Sequence, residues 1–151
     1  MPKITSSASL EMPYSPQEVW AVAGDFTNYG QWSKLHVAFP DGVPVLAQGT
    51  KYRERVSIMG MPGEAEWEVT EVEAPRRYVM TGSAMAGIEL RSSLILTGSD
   101  AGVSVALEMT LEGGVIPAGV GMAVTKAGKK AVAQSLEGLS RCVAQRKAQL
   151  G

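Results

Sequence analysis

A chain of 151 residues, 45% hydrophobic and 19% charged, has the size and apolar content of one domain closing over its own core, so a single domain spanning 1–151 is expected. Fourteen basic and fifteen acidic side chains leave a net charge of -1, with basic pairs such as Arg76-Arg77 and Lys129-Lys130 and no longer basic run, which disfavours nucleic-acid binding through phosphate neutralisation. The lone Cys142 excludes an internal disulfide, and the lone His36 removes most zinc-site spacings and any Ser-His-Asp pair that does not use it.

The start, "MPKITSSASLEM", lacks the apolar core of a signal peptide, and no later run reaches the ~20 apolar residues of a membrane span. Cytoplasmic residence is the default expectation. Residues 4 to 12 alternate weakly and predict a first strand. Ser15-Pro16-Gln17-Glu18 then reads S-x-x-E with Pro at the first helical position, a capping box that starts a helix carrying Val19, Trp20 and Ala23. That helix runs to about Gly24, and Asp25 can cap a second short one through "TNYGQW". His36, beyond it, is expected in a loop or at the surface.

From residue 50 the period changes to two. In "KYRERVSIM" one face reads Tyr52, Glu54, Val56 and Ile58; in "EAEWEV" it reads Ala65, Trp67 and Val69 against Glu64, Glu66 and Glu68. These are half-buried antiparallel strands, with "MGMPGE" between them as the hairpin loop. "YVMTGSAM" places Tyr78, Met80, Gly82 and Ala84 together, "IELRSSLIL" places Ile88, Leu90, Leu94 and Leu96 around Ser92, and "VSVALEMTL" turns Val103, Val105, Leu107, Met109 and Leu111 inward. Helices segregated from a run of hairpin strands predict an α+β fold with an antiparallel sheet. One long helix, residues 113 to 149, must cover the sheet's apolar face.

On a helical wheel Val132, Leu136, Leu139 and Val143 oppose Lys126, Lys130, Gln134, Glu137 and Arg141. Followed backwards, the apolar line meets Gly128, Thr125 and Gly121 instead of large side chains. Two readings are open: the small residues let the helix lie tightly on the sheet, or they roof an apolar cavity facing Trp67, Tyr52, Tyr78, Met80 and Met109. Two inward positions are polar, Glu54 and Ser92. A carboxylate facing apolar space is costly unless paired, neutralised or wet; Glu54 is therefore either a ligand anchor or general acid/base, or an edge-strand residue reaching solvent or an Arg.

The stretch "SLEMPYSPQEVWAVAGDFTNYGQW" and the strand series behind it resemble the START/Bet v 1-like (SRPBCC) superfamily, the polyketide cyclase/dehydrase and lipid-transport proteins with the helix-grip fold. The resemblance covers nearly the whole chain. It implies a seven-stranded antiparallel sheet gripping the C-terminal helix, a hydrophobic cavity between them, two short helices at one end, Trp20 and Trp32 in structural packing, and Asp25 near a helix cap. It carries over no catalytic residue. "GMPGEAEW" and "GGVIPAGVGMAV" are also similar to an actinobacterial subgroup described as the toxin of a toxin–antitoxin pair, although Glu64, Glu66 and Glu68 alternate on a solvent face and form no nuclease-like cluster.

The leading expectation is a binding protein for a hydrophobic small molecule, lipid or polyketide-like, held by Tyr52, Glu54, Val56, Trp67, Tyr78, Met80, Leu90, Ser92, Met109, Gly121, Val124 and Thr125, with no metal or cofactor. The alternatives are a cyclase- or dehydrase-like enzyme in which Glu54, with Tyr52 or Tyr78, moves protons, and a toxin-like protein acting through a protein partner.

Overall fold

The structure, a computed structural model, describes residues 3–58, 60–84, 87–113 and 120–150. Strand β1 (Lys3–Met12) leads into helix α1 (Pro16–Ala23) and a 3₁₀ helix (Phe26–Gln31); strands β2 (His36–Ala38), β3 (Lys51–Ile58), β4 (Met61–Glu73), β5 (Arg77–Ala84), β6 (Ile88–Ser99) and β7 (Gly102–Gly113) follow, and helix α2 (Val120–Leu150) closes the chain. The strands form one seven-stranded sheet in the order β1-β7-β6-β5-β4-β3-β2. Every neighbouring pair is antiparallel. This is the helix-grip architecture: a curved sheet around a long C-terminal helix, with short helices after β1.

The capping box forms as its spacing predicts. The Ser15 hydroxyl accepts from the Glu18 amide at 3.2 Å while the Glu18 carboxylate accepts from the Ser15 amide at 2.9 Å, satisfying two amide donors that the first turn leaves free. Asp25 caps the 3₁₀ helix, accepting from the Thr27 amide at 3.0 Å. Helix α1 buries Val19, Val22 and Ala23, and Lys147 near the end of α2 reaches Glu18 at 3.1 Å.

The inward alternation holds along the strands. Ala65, Trp67 and Val69 are buried on β4, Tyr78 and Met80 on β5, Leu94 and Leu96 on β6, and Val103 and Val105 on β7. Against them α2 buries Val132, Leu136, Leu139 and Val143, while Lys126, Lys130, Gln134, Glu137 and Arg141 are exposed. The β3–β4 connection is tighter than expected: Ile58 pairs with Met61, so Met61, Pro62 and Gly63 belong to β4 and Gly60, at φ 78, sits in the turn. A bulge between Val69 and Glu71 shifts the β4–β5 register and increases the local twist.

Strand β2, three residues long, is not visible in the periodicity because so short a segment has none. The C-terminal helix also begins later than expected: Gly113 ends β7, and α2 is described from Val120. Gly119 lies outside the described residues. The glycines of α2 answer the question of missing volume separately. A Cβ on Gly128 would run into the Ser6 hydroxyl and stand 3.1 Å from Ser6 Cβ, and one on Gly138 would stand 3.1 Å from Trp32 Cα. Both glycines permit close backbone approach, one to β1 and one to the residue ending the 3₁₀ helix. A Cβ on Gly121 would meet nothing within 4 Å among the described residues.

Candidate functional site

Alternate residues of β3 to β7 line a hollow on the inward face of the sheet, and α2 runs along its outer part. Register sets Met80, Ser92 and Met109 in one row across the sheet, continued by Ser6 of β1, and Trp67, Gly82, Leu90 and Leu111 in the next. Gly82 is glycine for a local reason: a Cβ there would stand 3.0 Å from the Trp67 ring and collide with the Glu66 carbonyl. The inner part of the hollow, about 90 Å³, is lined by Glu54, Val56, Ala65, Trp67, Met80, Ala84, Ile88, Leu90, Ser92, Met109 and Leu111, with Tyr29, Ser33 and Leu35 closing it from the segment before β2. An outer groove of about 320 Å³ adjoins it at Leu35, Met109 and Leu111, which line both, and continues along Val124, Ala127, Gly128, Lys130, Ala131, Val132 and Gln134 of α2 with Ser6, Lys34 and Ser57.

Glu54 is the one ionisable carboxylate in the inner lining, and it is 5% exposed. Its Oε1 accepts from Trp67 Nε1 at 3.0 Å, and its Oε2 lies 2.7 Å from His36 Nδ1. The strand register brings these together: Glu54 faces Ala65, one diagonal step from Trp67 on β4, while His36 faces Val56, one diagonal step away on β2. An ionised Glu54 can only accept, so the proton shared with His36 sits on Nδ1. The imidazole is held by Phe39, with ring centres 4.3 Å apart, and by Tyr29, edge-on at 5.0 Å. His36 is thus no surface residue: the lone histidine, expected away from the site, has a side chain only 7% exposed and backs Glu54. Two donors on its oxygens are what make the buried carboxylate tolerable, which disposes of the edge-strand reading.

The phenols near this cluster act as neutral groups. Burial, with the Glu54 charge adding to it, raises the Tyr29 hydroxyl well above its ordinary value of 10. Tyr52 and Tyr78 are raised likewise, with burial the largest cause, and a rise of this kind suits them as donors and not as bases. The Tyr52 hydroxyl is already engaged, donating to Met80 Sδ at 2.8 Å.

Of the twelve residues expected to bind a ligand, Glu54, Val56, Trp67, Met80, Leu90, Ser92 and Met109 line the inner hollow, and Val124 lines the outer groove. Tyr52 and Tyr78 do not line it. Both are inward, but Tyr78 packs against Trp20 and Phe26 at ring-centre distances of 5.7 and 6.0 Å, and Tyr52 against Phe39 and Phe26 at 5.8 and 6.2 Å. Gly121 and Thr125 do not roof the hollow either: they flank a shallow surface groove with Ile4, Met122, Lys126 and Lys129, and the Thr125 hydroxyl donates back to the Gly121 carbonyl at 2.8 Å. Residues 29 to 36, expected as the end of a short helix followed by a loop or surface histidine, supply the rest of the wall through Tyr29, Ser33 and Leu35. The signal that could have found them is the cluster of Tyr29, His36 and Phe39 around a single predicted inward acid.

A larger concavity, about 980 Å³, lies on the opposite face of the sheet. It is open and lined mostly by charged and hydroxyl side chains such as Lys3, Arg53, Glu66, Arg91 and Glu108. That is the solvated face of a curved sheet. No cluster of three or more potential metal ligands occurs among the described residues, and none of their helices is long and apolar enough to cross a membrane.

The family model described as polyketide cyclase/dehydrase and lipid transport matches residues 1–144. The chain belongs to that family. Among curated proteins it is similar to Toxin Rv0910 of Mycobacterium tuberculosis, 26% identical over 132 residues that cover 87% of this chain and 92% of the relative. Among solved structures it is similar to the Zhui aromatase/cyclase of Streptomyces, with a TM-score of 0.75 at 11% identity over 96% of each chain. It is also similar to a START superfamily protein of Mycobacterium smegmatis, with a TM-score of 0.60 at 20% identity over 97% of this chain and 99% of that one. At those identities the structural likenesses show the fold, which this family uses for binding and for cyclase chemistry alike.

Proposed function

We propose that the protein binds a small hydrophobic molecule in the hollow between sheet and α2, with Glu54 as the acceptor for a hydroxyl or N–H group on the ligand's inner end. The observation that carries this reading is an apolar wall enclosing a single carboxylate that is held in place from behind by His36 and Trp67. A carboxylate has about four lone-pair directions and the protein uses two, so acceptor capacity remains for a ligand. Membership of a lipid-transport and cyclase family supports the same reading.

N-phenyl-1-naphthylamine, a neutral apolar fluorophore with one N–H donor, tests it by fluorescence titration, alongside extraction of lipids from the purified protein. Saturable binding that weakens in Glu54→Gln is expected, since the amide can turn a donor toward the ligand. Protein that yields no extractable lipid and leaves the probe dark would overturn the reading.

A second reading has one observation in its favour. His36 behind Glu54 gives the carboxylate a proton-bearing partner, an arrangement suited to general acid–base work in a cyclisation or dehydration. Such a role typically contributes about 10²–10⁴-fold in rate. On a polyketide-like substrate that the protein turns over, His36→Gln should then lower kcat with little change in KM, and an unchanged kcat removes the pair from any mechanism.

A further inference from the structure

The outer groove has a charge of its own. Lys34 and Lys130 stand in its lining, Gln134 lies one turn beyond Lys130 on the same face of α2, and no Asp or Glu lines it. None of the positions left undescribed, 1, 2, 59, 85, 86, 114–119 and 151, is Asp or Glu. Lys34 is carried to this place by its backbone, whose amide donates to the Ser135 hydroxyl of α2 at 2.9 Å. Neither lysine takes part in an ion pair among the described residues. Lys126 and Lys129 extend the same sign along α2, and the helix has no acid before Glu137. In a chain whose net charge is -1, this is a concentrated basic rim on an apolar mouth.

The inner end carries the opposite sign. Glu54 is the acid there, and its charge already contributes to raising the Tyr29 hydroxyl, so an anionic group pushed inward would meet repulsion in a poorly screened space. We infer that the ligand is an anionic amphiphile bound in one orientation, with its apolar or hydroxyl-bearing end in the inner hollow beside Glu54 and its carboxylate or phosphate at the mouth between Lys34 and Lys130. This rests on the binding reading above and adds the ligand's charge, its polarity along the groove and the residues that read it. The apolar stretch of the groove, Leu35, Met109, Leu111 and Val124, holds the chain between the two ends.

The test uses chains of equal length with different heads: dodecanoate, dodecyl phosphate and dodecanol, each titrated calorimetrically against the full-length protein and against Lys34→Glu/Lys130→Glu. Both positions are exposed, so the double variant is expected to keep its fold, checked by its circular dichroism. The wild type should prefer one or both anions to dodecanol by about tenfold, the charge reversal should erase that preference while leaving dodecanol unchanged, and the preference should also fade toward ~1 M salt. Tighter binding of dodecanoate than of dodecyl phosphate names a carboxylate, and the reverse order names a phosphate. Dodecanol bound as well as both anions, or an anion preference that survives the double reversal, overturns this inference and leaves the hydrophobic hollow standing. Failure of all three chains together with N-phenyl-1-naphthylamine removes the hollow as a binding site, and this inference with it.

Discussion

At one end of the sheet Leu94, Leu96, Val103 and Val105 are at most 2% exposed, facing Leu136, Leu139 and Val143 of α2, which are at most 1% exposed. At the other end of the same strands Ile88, Leu90, Met109 and Leu111 are only half-buried, and Met122 of α2 is 85% exposed. The residue types are alike. What differs is a third layer: α1 packs on α2 and β6 over the dense end, where Trp20 and Phe26 close on Tyr78. The open end has no such layer among the described residues and keeps a hollow. The dense core and the hollow therefore occupy different ends of one sandwich.

Truncation at the dense end should have the largest effect. Leu139→Ala removes a fully buried side chain and should cost about 2–5 kcal/mol in urea unfolding while leaving probe binding in the surviving folded protein intact. Leu90→Ala, at the hollow end, should cost clearly less and alter probe binding; equal losses at the two positions would erase the distinction. The glycines of α2 sharpen it next. Gly128→Leu drives a side chain into Ser6 of β1 and should cost about 1–3 kcal/mol, whereas Gly121→Leu enters open space and should hold stability or raise it by up to ~1 kcal/mol. Because Gly121 faces the surface groove, N-phenyl-1-naphthylamine affinity should not change in that variant. A drop would return Gly121 to the hollow's roof.

The smallest effect belongs to the clasp between the two helices of the dense end. The hydrogen bond from the Ser15 amide, then the one from Lys147, holds the Glu18 carboxyl below its ordinary value of 4.5. A depressed value in the folded state means the contribution is fully present above that ordinary value and disappears as pH falls through the folded one. Glu18→Gln should therefore lie slightly below wild type in stability at neutral pH and converge with it in acid. A gap that persists undiminished at the lowest pH at which the protein folds would assign the loss to packing and not to charge.

Much of this molecule is legible in the sequence. Period-two alternation in β3 to β7 put Trp67, Met80, Ser92 and Met109 on the inward face, and the strand series resembled a family whose model covers residues 1–144. The S-x-x-E capping box located α1 because its hydrogen bonds span only three residues. Glu54 stood out for a similarly local reason, as an acid on an apolar face. The expectation for His36 failed because its partner lies 18 positions away and because β2, which carries His36, is only three residues long and shows no period.

Sequence alone determined which face of β3 to β7 is apolar and where the long helix turns its large side chains, since both follow from the fixed repeat of strand and helix. It left open what the small residues of α2 were for: Gly128 and Gly121 look identical on a wheel, yet among the described residues one touches Ser6 and the other touches nothing. Only the tertiary structure decided that, because a glycine's role is set by the distance to the next backbone. It decided the site for the same reason. His36, Glu54 and Trp67 become one hydrogen-bonded group, and Lys34 and Lys130 become one rim, only when the register of three strands and the docking of one loop on α2 bring them within reach.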